Sequence, residues 1–192
     1  MNFDFNQYIF VENDPECIKA LEVRCHRSPK NKQIHILQGD CNEIIDSIGQ
    51  HIPQNGLSLV FIDPTKVNIY FETIRKLVYD RRVDLLMNIQ DGMDIRRNFE
   101  DYKKDGDISR LGKFLGGDVP WEKLSDTKDA IDLYKGRIKK LEYSNVEFKD
   151  IVVRNTKNVP MYFLFFASQH PLGLKFWNEI TKKDEQGQYE LF

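Results

Sequence analysis

Hydrophobic residues occur along the chain in short runs separated by stretches with helical spacing. The runs Tyr8–Glu12 (YIFVE), 34–37 (IHIL) and Leu57–Ile62 (LSLVFI) are nearly continuous, and a fourth, 83–89 (VDLLMNI), follows them. Short apolar runs of this kind are typical of buried β-strands. The pattern therefore predicts four strands with intervening helices.

The segments between these strands repeat their apolar residues every three or four positions, as one face of a helix does. The repeating positions are Ile18, Leu21 and Cys25 after Pro15; Ile44, Ile45 and Ile48 within 41–48; and Phe71, Ile74 and Leu77. Strands that alternate with helices predict an α/β fold with a parallel sheet, right-handed crossovers and helices on both faces. Because Leu57–Ile62 is apolar at nearly every position, we expect it to be the most buried strand.

The C-terminal third predicts a different arrangement. A helix with Ile131, Tyr134, Ile138 and Leu141 on one face precedes two strands, 147–153 and 161–167, and a last helix carries Leu174, Trp177 and Ile180. The turn 154–160 is short, so the two strands are expected to pair antiparallel as a hairpin at one edge of the sheet.

The chain has 192 residues, which is the length of a single domain. Residues 93–125 are richer in charge and glycine than their surroundings, and they predict short helices and loops outside the core. We therefore expect a single domain over 1–192, with a helical insertion around 93–129 and a flexible tail at 183–192.

Composition narrows the location of the protein and its partners. Lys and Arg number 28 and Asp and Glu 30, so the net charge of -2 creates no global attraction to nucleic acid or membrane. No apolar run approaches the roughly 20 residues of a membrane span, and the first ten residues lack the pattern of a secretion signal. We expect a cytoplasmic protein without membrane contact.

The basic residues are locally clustered and give nucleic acid as a candidate partner. The clusters are Arg75, Lys76, Arg81 and Arg82, and then Arg96, Arg97, Lys103 and Lys104. They would suit a path for phosphates. The acids Asp80, Asp84, Glu100 and Asp101 interleave with them, however, which favours an ordinary solvated face.

Cysteine and histidine residues show no spacing typical of a metal site or a disulfide framework. The three cysteines Cys17, Cys25 and Cys41 form an odd set without a CxxC pair. We expect core thiols and no metal.

Acidic residues follow each of the four predicted parallel strands. Glu12, Asp40, Asp63 and Asp91 lie at or just beyond their carboxyl ends, the edge at which open α/β sheets bind ligands. A carboxylate there suits the two hydroxyls of a ribose. The alternative for Glu12 is a helix-capping or solvated acid, although Asn13 and Asp14 are better caps for the next helix.

Five segments together resemble the class I S-adenosylmethionine-dependent methyltransferases, and within them the three-Cys-motif partner family. In chain order these segments are FVENDPECIKALE, LQGDCNEII, VFIDPTK, DLLMNIQD and PMYFLFFASQHPLGLKFW. The resemblance covers nearly the whole chain. It implies a Rossmann-like methyltransferase fold with a mostly parallel sheet and a C-terminal antiparallel hairpin, and it implies a companion three-Cys-motif protein as a partner.

The resemblance also implies residue roles. Glu12 would bind the ribose of S-adenosylmethionine, and Asp40 with Cys41 would flank its adenine. Asp63 with Pro64 would face the methyl group and the acceptor, with Asp63 as the candidate proton acceptor. A sulfonium methyl is already a strong electrophile, so the protein has mainly to align the nucleophile.

Two departures from the family limit this interpretation. Amino-methylating relatives carry an aromatic residue close after this Asp-Pro segment, whereas here Tyr70 and Phe71 come later, so methylation of a base amine is not supported. The first strand and its glycine-rich turn are also missing, as in a truncated chain. In the family that strand lies between those ending in Glu12 and Asp63. Either these two strands pair directly or another segment, from an upstream piece or a second copy in a homo-oligomer, fills the gap.

The C-terminal residues Gln188–Phe192 (QYELF) resemble the short peptide with which bacterial DNA-processing proteins dock on the replication sliding clamp. A disordered end is the alternative. Three functions therefore remain open from the sequence: a methyltransferase-like protein of unknown acceptor, a non-catalytic α/β interaction partner, and a different nucleotide-binding α/β protein.

Overall fold

The computed structural model describes residues 5–64, 66–89, 94–141, 143, 149–154 and 160–182. Side chains are described for these residues except 149–154, 160, 161 and 163. The chain divides into two compact units, Met1–Pro53 and Gln54–Phe192.

The first unit is built on one pair of parallel strands, β1 (Tyr8–Glu12) and β2 (Ile34–Gln38). Helix α1 (Pro15–His26) connects them, and α2 (Ile45–His51) follows β2. Pro15 occupies the first turn of α1, where its missing N–H costs nothing. The core of this unit consists of apolar side chains from the two helices and the residue after α2: Ile18, Ile45, Ile48 and Ile52.

Helix α2 begins later than the apolar spacing predicts. The Asp40 backbone carbonyl accepts from the amides of Glu43 and Ile44, and its side chain accepts from Asn42, so residues 40–44 form a turn. A short acid that bonds its own backbone favours turns over helix interiors. The helix therefore starts at Ile45 rather than near residue 41.

The second unit contains a four-stranded sheet in the order β3-β4-β6-β5. The strands are β3 (Leu57–Ile62), β4 (Arg82–Ile89), β5 (Lys149–Arg154) and β6 (Pro160–Ala167). The helices are α3 (Phe71–Val78), α4 (Arg96–Asp105), α5 (Arg110–Leu115), α6 (Thr127–Lys139) and α7 (Pro171–Ile180). Short 3₁₀ turns occur at Asn31–Gln33, Gly106–Ile108 and Trp121–Lys123.

The predicted α/β class is confirmed, and so is the C-terminal hairpin. Strand β3 pairs parallel with β4, while β6 pairs antiparallel with both β4 and β5. In the described parts of the chain, β1 pairs with β2 alone and β3 with β4 alone. Strand β1, which ends at Glu12, and strand β3, which ends just before Asp63, are therefore members of different sheets.

The prediction that Leu57–Ile62 is the most buried strand is wrong. Leu57, Leu59 and Phe61 are 71%, 48% and 59% exposed, and among the described strands β3 is at the edge of its sheet, paired with β4 alone. The buried strand is β4, where Val83, Leu85, Met87 and Ile89 are nearly inaccessible. Continuous hydrophobicity predicted a strand correctly but not its place in the sheet.

The charged middle segment forms short helices, as its composition predicts, but it is not outside the core. Its apolar side chains are buried, among them Phe99, Leu111, Phe114 and Leu115. The Phe114 ring stacks on the fully buried Tyr134 of α6 with ring centroids 4.0 Å apart. The polar residues of α4 and α5 lie on the outer faces, so a high average charge conceals a regular apolar stripe.

The expectation of core thiols is also wrong. Cys17 is exposed and Cys25 and Cys41 are only half-buried. In the described regions no cluster of three or more potential ligands is arranged for a metal ion. None of the described helices is long and apolar enough to cross a membrane.

Several predictions concern residues outside the described ranges. These residues are Asp91 after the fourth strand, most of the turn 154–160, and the tail 183–192 with its Gln188–Phe192 motif. Those predictions stay predictions, as does the single-domain organisation of 1–192.

Candidate functional site

Glu12 is the last residue of β1, and its carboxylate is held by the loop that follows it. Its Oε1 accepts hydrogen bonds from the backbone amides of Asn13, at 2.8 Å, and Asp14, at 2.9 Å. No described residue donates to Oε2. Glu12 is therefore oriented by one oxygen and can accept a ligand hydroxyl with the other.

The residue that caps helix α1 is Asp14 and not Glu12. The side chain of Asp14 caps α1, with Oδ1 accepting from the amides of Glu16, at 2.8 Å, and Cys17, at 3.1 Å. An N-cap carboxylate satisfies amides that would otherwise lack partners in the first helical turn. Glu12 thus has no capping role in α1, and its half-buried carboxylate closes only the tight turn between strand and helix.

Asp40 lies beside Glu12 at the same edge of the first sheet. The strands are in register with Glu12 opposite Gln38, and the Gly39 amide donates to the Glu12 carbonyl at 2.9 Å. The Asp40 Oδ1 accepts from the amide and the side chain of Asn42, at 2.8 and 2.9 Å. Its second carboxylate oxygen has no donor in the described regions.

Cys41 follows Asp40 and is half-buried. Burial raises the pKa of its thiol, and the negative charge of Asp40 raises it further. The thiol therefore stays protonated near pH 7, and it presents a small, weakly polar surface next to a carboxylate. Such a surface suits the edge and face of a purine.

Asp63 follows β3 in the second unit, and its side chain is exposed. Its Oδ1 accepts a hydrogen bond of 2.6 Å from the side-chain amide of Asn88, near the end of β4. The two strands run parallel with Ile62 opposite Met87, which brings the residues after them to one edge. No described residue donates to the Asp63 Oδ2, so this oxygen can accept a proton or a hydrogen bond.

Sequence reasoning did not identify Asn88 or Asp94 as candidate site residues. Asp94 is buried, and its Oδ2 accepts from the amide of Val67, three residues after Pro64, at 2.8 Å. The sequence does show an acid at position 94, a few residues after the fourth apolar run, but it does not show that this acid is buried. Its partners lie 4, 8 and 27 residues away, and only the last of these contacts joins two segments.

The basic residues of the two clusters contact carboxylates and backbone carbonyls close to them. Arg75 forms an exposed ion pair with Glu72 on the same helix, and Lys103 donates to the Leu124 carbonyl at 2.8 Å. Arg81 donates to the carbonyls of Lys76 and Tyr79. These contacts fit the alternative of an ordinary surface with local pairing better than they fit a continuous phosphate path.

Comparison with known proteins gives structural neighbours only. No protein-family model and no curated protein matches the chain, so membership in the three-Cys-motif partner family stays a prediction. Cofactor-bound Rv0187 from MTB is 13% identical, with a TM-score of 0.47 over 85% of this chain and 62% of that one.

Two further solved structures have titles that name a cofactor or its product. The O-methyltransferase TomG from Streptomyces achromogenes, in complex with SAM, is 11% identical, with a TM-score of 0.47 over 85% of this chain and 62% of that one. PigF with SAH is 11% identical, with a TM-score of 0.37 over 88% of this chain and 52% of that one. The chain thus spans less than two thirds of the length of each of these proteins.

Proposed function

We propose that this protein is a methyltransferase-like α/β protein that binds S-adenosylmethionine. In this proposal Glu12 accepts from the ribose hydroxyls, and Asp40 and Cys41 lie against the adenine. The observation that carries it is the state of Glu12, whose carboxylate is oriented by two backbone amides and keeps one oxygen open at the carboxyl edge of a parallel strand pair.

The residues present fit the adenosine part of this cofactor. A ribose offers two adjacent hydroxyl donors, which match the open oxygen of Glu12. The adenine offers an amine donor and an apolar face, which match the open oxygen of Asp40 and the neutral thiol of Cys41. The acceptor of the methyl group is left open by this fit.

Asp63 and Pro64 serve the methyl acceptor in this proposal. The cofactor supplies an electrophilic methyl group. The acceptor must lose a proton as its new bond to carbon forms, and the open Oδ2 of Asp63 can take that proton. The hydrogen bond from Asn88 holds the other oxygen, so the carboxylate keeps a fixed orientation.

The test is a calorimetric titration of S-adenosylmethionine into the 192-residue chain and its variants. We expect the wild type to bind and E12Q to bind about tenfold or more weakly, because a hydrogen bond to a charged group is worth roughly 1.5–3 kcal/mol. E16Q is the matched control, since Glu16 lies exposed on α1 and pairs with Lys19. E12A tests complete removal of the carboxylate.

Transfer is tested with methyl-tritiated S-adenosylmethionine and separate pools of DNA, RNA and protein as acceptors. D63A and D63N should abolish transfer while leaving cofactor affinity and the circular dichroism spectrum unchanged. Equal affinity of E12Q and wild type would remove the role assigned to Glu12. A wild type that fails to bind would overturn the methyltransferase-like proposal.

The exposed edge strand favours a second candidate function, a non-catalytic interaction partner. The side chains of Leu57, Leu59 and Phe61 alternate along β3, so they lie on one face of the sheet and remain exposed. Edge strands are commonly protected by charges or proline, and β3 contains neither. Self-association measured by light scattering, together with no cofactor binding, would support this second function.

A further inference from the structure

A buried carboxylate joins helix α4 to the loop that follows Asp63 and Pro64. Asp94 is 4% exposed and lies two residues before the start of α4 at Arg96. Its Oδ2 accepts from the Val67 amide at 2.8 Å, and its Oδ1 accepts from the Tyr102 hydroxyl at 2.8 Å and from the Asn98 amide at 3.0 Å. Three donors from two segments of the chain therefore meet on one side chain.

The donors explain how a carboxylate is tolerated at a buried position. A buried acid is costly unless its oxygens are hydrogen-bonded. Burial, and then the hydrogen bond to Asp94, raise the pKa of Tyr102 to about 12, so its hydroxyl remains a donor throughout the neutral range. The contact to the Val67 amide thus rests on a network that is complete on both oxygens.

The loop itself is arranged around this contact. Val67 and Ile69 are buried, whereas the side chains of Lys66 and Asn68 are exposed. The Asn68 amide also donates to the Lys66 carbonyl at 2.8 Å, which makes a tight turn. Inward and outward residues alternate, so fixing the Val67 amide fixes the direction of the two exposed side chains.

We propose that Asp94 is a positioning residue for the methyl acceptor: it holds the loop 66–69 on α4 and thereby orients Lys66 as an acceptor contact in the loop that follows Asp63 and Pro64. This inference rests on the proposed function, because it assigns the loop to the acceptor. Asp94 does not touch the reacting atoms and acts through the loop. In this proposal Lys66 offers its ammonium group to the acceptor.

The first arm of the test needs no substrate. Amide hydrogen exchange at Val67, followed by NMR, reports whether its hydrogen bond opens. In D94N the amide group offers one acceptor oxygen to three donors, and we expect exchange at Val67 to accelerate about tenfold to a hundredfold. Y102F, which keeps the acceptor but removes one donor, should accelerate exchange about twofold to tenfold.

D107N is the matched control for this arm. Asp107 also accepts a backbone amide, that of Val119, and the indole N–H of Trp121, but it does not contact the loop. Exchange at Val67 should be unchanged in D107N, and exchange of the β4 amides should be unchanged in all three variants. Unchanged exchange at Val67 in folded D94N would overturn the proposal, and if D94N fails to fold, unchanged exchange in Y102F would do so.

The second arm separates positioning from a merely structural role. Methyl transfer to whichever of the DNA, RNA or protein pools accepts methyl groups is measured together with calorimetric affinity for S-adenosylmethionine. D94N should raise the KM for the acceptor or lower kcat at least tenfold while the cofactor Kd stays within twofold of wild type. K66A should raise acceptor KM without changing exchange at Val67.

The outcomes distinguish the two proposals. A wild type that neither binds the cofactor nor transfers methyl groups overturns the proposed function, and with it the acceptor role of the loop, whatever the exchange result. An active wild type with unchanged transfer in D94N overturns only the positioning role. Faster exchange with slower transfer and an unchanged cofactor Kd supports both.

Discussion

The side-chain amide of Asn88 donates to the Asp63 carboxylate over 2.6 Å; Asn88 lies in β4, and Asp63 directly follows the parallel strand β3 beside it. The carbonyl oxygen of the same Asn88 side chain is buried and receives no hydrogen bond within the described ranges. Among the described residues, the Asn88 side chain is therefore oriented by the hydrogen bond that it donates to Asp63. A change at Asn88 should therefore act directly on the candidate proton acceptor.

The N88D substitution places a second carboxylate at this distance. Two neighbouring carboxylates share a proton, so one apparent pKa of the pair should rise above that of a lone aspartate. A raised pKa in the folded state contributes stability at low pH that is lost as pH rises, so N88D should lose about 1–2 kcal/mol between pH 4 and pH 7 relative to wild type. Urea denaturation at the two values measures it.

N88A is the control for this prediction. It removes the donor without adding charge, so its difference from wild type should be similar at pH 4 and pH 7. If N88D and N88A show the same dependence on pH, the side chains at positions 63 and 88 are not in contact in solution.

The raised pKa of Tyr102 predicts that the protein loses stability at alkaline pH. Its pKa is raised from 10 to about 12 by burial and by Asp94, so the folded state holds the hydroxyl proton more tightly than the unfolded chain does. That stability is complete below pH 10 and is lost as pH rises toward 12. We expect the difference in unfolding free energy between wild type and Y102F to shrink by about 1–2 kcal/mol between pH 9 and pH 12.

The matched control is Y79F, because Tyr79 is exposed on the surface. Its difference from wild type should be constant over the same range. A constant difference for Y102F as well would mean that the Tyr102 hydroxyl is not buried against Asp94.

Gly173 in α7 lies where a larger residue does not fit. A Cβ at this position would lie 2.2 Å from the Ser168 Oγ and 3.2 Å from Asp84 Oδ2. The Ser168 hydroxyl is itself fixed, since it donates to the His170 carbonyl at 3.0 Å and accepts from the His170 amide at 3.2 Å. G173A should therefore destabilise the protein by about 1–3 kcal/mol despite the higher helix propensity of alanine.

The same substitution at Gly136 should have the opposite effect on stability. It lies within α6, and nothing comes within 4 Å of a Cβ built there. G136A should stabilise the protein by about 0.5–1 kcal/mol through helix propensity alone. Chemical denaturation of both variants tests the pair, and a stabilising G173A would contradict the close packing of α7.

Arg137 holds the turn after α5 through three carbonyl groups. Its guanidinium donates to Leu115 at 2.5 Å, to Gly117 at 2.6 Å and to Asp118 at 2.9 Å. A lysine ammonium does not have this planar arrangement of donors. R137K should cost about 1–2 kcal/mol of unfolding free energy, measured by urea denaturation.

R75K is the corresponding surface control. Arg75 makes two hydrogen bonds to Glu72, but both side chains are about half exposed. Exposed ion pairs contribute little, so R75K should leave the midpoint of urea denaturation almost unchanged. Equal effects of the two substitutions would argue against the carbonyl contacts of Arg137.

Local patterning was sufficient to predict most elements. The bounds of β1 and β3 match their apolar runs, and α3 and α7 follow the predicted helical spacing. The acids at positions 12, 40 and 63 lie at the carboxyl ends of parallel strands as expected. Periodicity and turn residues act over a few positions, so a sequence contains this information directly.

Tertiary structure decided what depends on distant partners. Only the tertiary structure shows that β3 is an edge strand among the described residues, that Asn88 contacts Asp63, and that Asp94 contacts Val67. Hydrophobicity favours burial but does not decide it, as the exposed Leu57 shows, and hydrogen bonds between residues 25 and 27 positions apart depend on how distant segments pack. The sequence alone thus determined the α/β class and the candidate acids, while the partners of those acids followed from the packing of the sheet and its helices.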